Sequence, residues 1–284
     1  MIYKLNIDRD THKFCEFLLK KCESLGVRIL RNSTVAAVHT HDDSLLLKAV
    51  SISSAGSSQL TNLNRTNLVI SAGPWSDRVF KSLFPFAKVQ IPLNVSGASG
   101  NNLLIRTPHW KPSDDDFGCD QVYLDNVIVG GATLDVSTLL GGTMYVGGYG
   151  ADPEELPALA TQVQPQPNAI KAMKKLVAGF LNLSEGESIE VLKEGRAYRP
   201  EVAVGRPIIA KLPPRLLFGE NVANVGDESD HSTNAHIDVH GGVFVNTGHN
   251  SDGVALGPGS GKVMAELIRG VETSVDISSL GLPT

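Results

Sequence analysis

The residues in this chain best suited to chemistry lie near its end. Gly242-Val-Phe-Val-Asn-Thr reads as a strand, Gly248-His-Asn-Ser-Asp-Gly253 as a tight turn, and about Gly253 to Arg269 as a helix. Glycine accepts positive φ and has no side chain, so such a turn lets the backbone approach a ligand closely. The first amide groups of the helix have no intrahelical partner, and the helix dipole favours negative charge there. The combination suits an anionic or polarisable ligand. It is not a nucleotide P-loop. That pattern needs glycine five residues before Gly261 and Ser or Thr after Lys262, where this chain has Leu256 and Val263. A plain strand–turn–helix packing unit remains the competing reading of the same spacing.

Other reactive side chains are scattered. His249 lies inside the turn, placed as a base would be, and Asp252 puts a carboxylate at the head of the helix. His231, His236 and His240 accompany Asp227, Asp230 and Asp238 in a polar stretch. Their composition reads as a solvated loop rather than a metal site. Trp75 and Trp110 read as packing residues.

These groups need a scaffold, and the composition allows one. The chain has 284 residues, 42% hydrophobic and 19% charged, which is enough for one large domain or two modest ones with a real core. A net charge of −5 argues against a nucleic-acid partner. No apolar run approaches the roughly 18 residues of a membrane span. Three cysteines make no disulfide framework and fit a reducing, cytoplasmic compartment.

Periodicity places a helix over Asp8–Leu25, with Phe14, Phe17, Leu18, Cys22 and Leu25 as its apolar stripe. A short strand is expected at Val27–Leu30, with further strands at Val35–Val38, Leu45–Ile52 and Leu68–Ile70. Residues 53–67 read as a loop. Short runs at Val89–Leu93, Leu103–Ile105, Val122–Leu124, Val127–Val129 and Thr143–Val146 between turn residues predict an antiparallel sheet. A second helix is expected over Ala169–Leu181, and Val271–Thr284 as a frayed tail.

Several of these segments together resemble the D-amino-acid oxidase-like FAD oxidoreductases, most nearly the fungal-type members. The strand, the Gly-His-x-x-x-Gly turn and the helix with Pro258 and Gly261-Lys262 are similar to that family's C-terminal flavin-contact motif. Leu68-Val-Ile-Ser-Ala-Gly-Pro-Trp-Ser resembles its strand–Ala-Gly-x-Trp element. Tyr198-Arg-Pro-Glu-Val-Ala-Val-Gly-Arg-Pro-Ile-Ile resembles its Arg-Pro segment, with Ala210 in place of the last glycine. Gly26-Val-Arg-Ile with Thr34-Val35 resembles its adenine-side strand. The matches run in the family order over nearly the whole chain.

The resemblance implies FAD as cofactor and a small amine or amino acid as substrate, oxidised by hydride transfer to flavin. Arg199 is then the fork for a substrate carboxylate, with Arg196 as the near alternative and a structural salt bridge as the competing role for Arg199. Val35 is expected by adenine. Ala72, Gly73 and Pro74 are expected along the cofactor. Gly248, Asn250, Asp252, Gly253 and Val254 are expected around the isoalloxazine edge. A carboxylate at Asp252 departs from the family pattern and opposes a reduced, anionic flavin.

The implied fold class is α/β, with α+β character overall. An incomplete Rossmann-like FAD-binding domain (1–83, returning at 206–272) joins a mostly antiparallel β-sheet substrate domain (84–205), with 273–284 as a tail. The family's Gly-x-Gly-x-x-Gly fingerprint, which seats the pyrophosphate, is absent; Gly147-Gly-Tyr-Gly fails its spacing. The chain is therefore expected to be N-terminally truncated, with weakened FAD binding. A cofactor-poor, non-catalytic remnant or a binding module is the alternative.

Overall fold

A computed structural model of the chain describes residues 11–41, 45–95, 98–111, 121–124, 134–139, 141–150, 152–218 and 241–282. In chain order the elements are α1 (Thr11–Ser24), β1 (Ser33–Thr40), β2 (Leu47–Ser54), β3 (Thr61–Asn64), β4 (Asn67–Ile70), α2 (Ser76–Leu83), β5 (Leu93–Asn94), β6 (Ser99–Arg106), β7 (Gln121–Leu124), β8 (Leu134–Leu139) and β9 (Thr143–Gly150). Then follow α3 (Pro167–Phe180), β10 (Glu190–Tyr198), β11 (Glu201–Val202), β12 (Ile208–Leu212), α4 (Pro214–Phe218), β13 (Gly242–Thr247) and α5 (Gly253–Ile268). Two compact units divide them. One comprises Met1–Arg28 and Val95–Tyr198, the other Ile29–Asn94 and Arg199–Thr284.

The first unit is built on a five-stranded antiparallel sheet in the order β10-β6-β9-β8-β7. Side chains alternate across a strand, so every second residue turns to one face. Leu103, Ile105, Leu134, Val136, Met144 and Val146 meet Ile170, Met173 and Val177 of α3. The expected apolar stripe of that helix is thus the one that packs. Helix α1 forms as its periodicity predicts, but none of its residues is buried. The stripe specifies a helix and a face; it does not supply the surface that covers that face.

The second unit carries an antiparallel meander, β1-β2-β3, and a mixed sheet in the order β12-β13-β4. In the mixed sheet β13 runs antiparallel to β12 and parallel to β4. Val243 and Val245 point from β13 into a core with Ile70, Phe80, Phe84, Val202, Ile208 and Leu217. Phe244, on the opposite face, packs with Ile209 and with Val263 and Met264 of α5. A run of apolar residues in β13 is what burial on both faces demands. The chain enters this strand through Gly241 (φ +69°), where a Cβ would lie 2.0 Å from the Thr66 carbonyl oxygen. That carbonyl accepts from the Gly242 N–H at 2.7 Å and sets the register against β4.

Several expectations are corrected. Val27–Leu30 is not a strand, because no neighbouring strand pairs with it among the described residues. Residues 53–67 contain β3, which the Thr61–Asn64 pairing to β2 creates from polar residues. Strands β8, β10 and β12 and helix α2 went unforeseen. The tail is not frayed, since Ile277 and Leu280 pack against the α5 side of the mixed sheet. Val127–Val129 and the polar stretch with His231, His236 and His240 lie outside the described residues.

Candidate functional site

Strands β4 and β13 are parallel neighbours, so their carboxyl ends open on the same side of the sheet. That edge is where open parallel sheets commonly seat ligands. Ser71-Ala72-Gly73-Pro74 leaves β4 there, and Gly248-His249-Asn250 leaves β13. A buried hydroxyl pair ties the two exits together. The Thr247 hydroxyl donates to the Gly73 carbonyl at 3.2 Å, while Ser76 Oγ lies 2.8 Å from that carbonyl and 3.0 Å from Thr247 Oγ1. Both side chains are almost fully buried. Sequence reading passed over Ser76 and Thr247. The signal available was small: a hydroxyl residue directly after Ala-Gly-Pro-Trp and another directly before Gly-His.

The turn itself is constrained at each residue. Gly248 has φ +83°, and a Cβ there would stand 2.6 Å from Val202 Cγ2. Asn250 takes a left-handed φ of +51°, a conformation that asparagine tolerates better than most side chains. Its N–H donates to the Pro200 carbonyl at 3.1 Å, and the Asp252 N–H donates to the His249 carbonyl at 3.0 Å. The Pro200 bond joins the turn to the segment that carries Arg199. The Arg199 side chain is half-buried and makes no hydrogen bond or ion pair with a described residue.

Helix α5 starts at Gly253 with Asp252 as N-cap residue, whose side chain makes no capping hydrogen bond. Its first amides are left open. Residues 253–259 are exposed, among them the apolar Val254 (43%) and Leu256 (42%). Val35 lies apart from these turns. It sits on β1 at a β-bulge, half-buried against the core that also holds Ile70 and Val245.

The structure separates the two arginines. Arg196 belongs to the other unit, where its side chain is only 2% exposed and bridges to Glu154. It also donates to Ser99 Oγ at 3.1 Å, and its guanidinium carbon lies 4.8 Å from the Tyr198 ring centroid. That guanidinium holds the Glu154 carboxyl below its ordinary range. Committed in this way, Arg196 is no longer an equal candidate for binding a ligand carboxylate.

Burial pushes the His249 imidazole below its ordinary pKa of 6.5. A base whose folded-state pKa is depressed binds its proton more readily in the unfolded chain. The stability contributed by neutral His249 is therefore complete above 6.5. It falls as the pH drops through the lowered value. Urea unfolding of the wild type and of the non-titrating His249→Gln, followed from about pH 8 to pH 5, is expected to show wild-type stability falling relative to the variant toward acid. A constant difference would exclude His249 as its source.

A family model described as FAD dependent oxidoreductase matches residues 7–267. Among solved structures, L-proline dehydrogenase from P. horikoshii superposes with a TM-score of 0.64 at 13% identity, covering 96% of this chain and 59% of that one. L-Amino acid deaminase from Proteus myxofaciens, in complex with anthranilate, gives 0.63 at 14%, covering 93% and 58%. Glycine oxidase from Geobacillus kaustophilus gives 0.57 at 17%, covering 92% and 54%. At such identities the likeness is one of fold. The chain spans between half and three-fifths of the length of these proteins.

Proposed function

The chain belongs to the FAD dependent oxidoreductase family, and from that membership we propose that it oxidises the C–N bond of an amine or amino acid, with flavin accepting the hydride. The observation that carries this reading is the joining in one unit of the three segments expected to meet the cofactor and substrate. The Ala72–Pro74 exit, the Gly248–Val254 turn and helix start, and the Arg199-Pro200 segment are hydrogen-bonded to one another through Gly73, Thr247, Asn250 and Pro200.

The residues present fit the flavin end of FAD. The amides at the head of α5, which the Asp252 side chain does not cap, would complement an electron-rich edge. Exposed Val254 and Leu256 offer an apolar surface that a planar ring would cover and that would keep water from it. Ala72, Gly73, Pro74, Gly248, Asn250, Asp252 and Gly253 would hold the group mainly through backbone, and Val35 would serve the adenine side. Bound FAD supplies a two-electron acceptor. The protein's part is orientation. The Arg199 guanidinium, without a partner among the described residues, would fork onto a substrate carboxylate and point the C–N bond inward. With the substrate amine neutral, its own nitrogen lone pair would supply the electrons of the C=N bond as hydride passed to the bound acceptor, so the chain need supply no strong base at that carbon. That the structural neighbours include enzymes named for proline, glycine and L-amino acids supports an amino acid over a simple amine. Sparse cysteine usage supports a cytoplasmic setting. Among the described residues no helix is long and apolar enough to cross a membrane.

One observation favours a second reading. None of the 284 residues forms the Gly-x-Gly-x-x-Gly fingerprint that seats a pyrophosphate. On that reading the chain is a cofactor-poor, non-catalytic member or binding module. Titrating the purified chain with FAD decides between them. Saturable quenching of flavin fluorescence with a shifted visible spectrum is the expected result. An unchanged spectrum at high FAD would overturn catalysis by this chain alone.

A further inference from the structure

His249 sits where a base would sit, yet its geometry points elsewhere. Its Nε2 lies 2.8 Å from Ser260 Oγ, across the first two turns of α5. Ser260 is only 7% exposed, in a helical stretch whose preceding residues 253–259 are all exposed. The half-buried imidazole therefore reaches from the turn to the first buried position of the helix. One ring nitrogen is committed to that bond. Backbone on either side of His249 is held too. Val202 leaves no room for a side chain at Gly248, the Asn250 N–H is given to Pro200, and the His249 carbonyl accepts from Asp252. Between the end of β13 and the body of α5, the His249–Ser260 bond is the side-chain tie that fixes how far the turn stands from the helix.

We propose that His249 is a positioning residue whose bond to Ser260 sets the path of the Gly248–Asp252 turn and, through the Asn250–Pro200 bond, the placement of the Arg199 segment. A buried hydrogen bond between neutral groups contributes modestly to stability but is costly to leave half-made. Losing it lets the turn sample positions in which the Asn250 amide is released. The flavin consequence rests on the function proposed above: the same turn would present its amides to the ring, so affinity should follow its order. The backbone consequence does not depend on flavin.

The test uses His249→Ala, Ser260→Ala and His249→Gln, the last because a glutamine amide restores a polar nitrogen or oxygen near the position of Nε2. Hydrogen exchange of the Asn250 amide is expected to speed up about tenfold in both alanine variants and to stay near wild type in the glutamine variant. Ser260→Ala removes one oxygen from a good helix position, so it keeps the test open if His249→Ala folds poorly. FAD affinity is expected to weaken about tenfold in the alanine variants and to recover with glutamine. Unchanged Asn250 exchange in both alanine variants would overturn the clamp. So would a pH profile of kcat/KM that loses its acid limb only in the His249 variants, since that marks a base. If the wild type binds no FAD, the functional reading fails, while the exchange measurement still decides the clamp.

Discussion

Arg199→Ala is expected to raise KM for carboxylate-bearing amines by about 10²-fold, the cost of removing one partner of a desolvated charge pair. Amines without a carboxylate should be affected little. The expectation follows from what surrounds the side chain. It is half-buried, it makes no ion pair or hydrogen bond with a described residue, and its segment is bonded to the turn at the head of α5. Removing it leaves no described group orphaned, so the unfolding midpoint should move little. Arg199→Lys keeps the charge and loses the fork, and should recover only part of the affinity. Arg196→Met is the contrasting control. It removes a buried guanidinium from Glu154 and Ser99, which should alter the stability of the sheet unit and leave KM alone. Steady-state kinetics across paired substrates with and without a carboxylate measure all three. Equal KM changes in the two substrate classes would remove Arg199 as the anchor.

Gly248→Ala is expected to cost about 2–5 kcal/mol of stability and to abolish measurable flavin binding. Two penalties meet at this residue. A left-handed backbone costs an L-residue roughly 1–2 kcal/mol. A methyl group placed 2.6 Å from Val202 Cγ2 adds an overpacking cost of about 1–3 kcal/mol. Val202 is 2% exposed and β-branched, so it has little room to turn away. Adding Val202→Ala relieves the overlap but not the backbone strain. The double variant should therefore lose less than the sum of the single changes. Urea unfolding measures the stability, and FAD titration measures the binding. A Gly248→Ala protein within about 0.5 kcal/mol of wild type would show that the turn adapts, against the close packing described here.

Much of the site was legible in the order of residues. The strand over Gly242–Thr247 and the helix from Gly253 stand where hydrophobic run, glycine turn and helical periodicity place them. These are local signals, and local physics settles them. The helix of α3 and its stripe were equally plain. Strands made by pairing were harder to read. β3 is polar, and β8 and β10 lie among residues with no clean alternation, so only their neighbours define them. The apolar face of α1 follows from its periodicity, while its exposure in the fold does not.

By itself, then, the sequence determined the family and the strand–turn–helix unit and proposed which residues meet a ligand, because glycine spacing and apolar periodicity act over a few residues. Tertiary structure decided which of them act together. It committed Arg196 to Glu154 and gave Arg199 no partner among the described residues, though only two residues stand between them. It drew the hydroxyls of Ser76, Thr247 and Ser260 into the candidate site, none of which the motifs assign a role. Hydrogen bonds at separations of 171 and 174 residues exist only once two parallel strands have set their exits side by side. No local pattern encodes that distance.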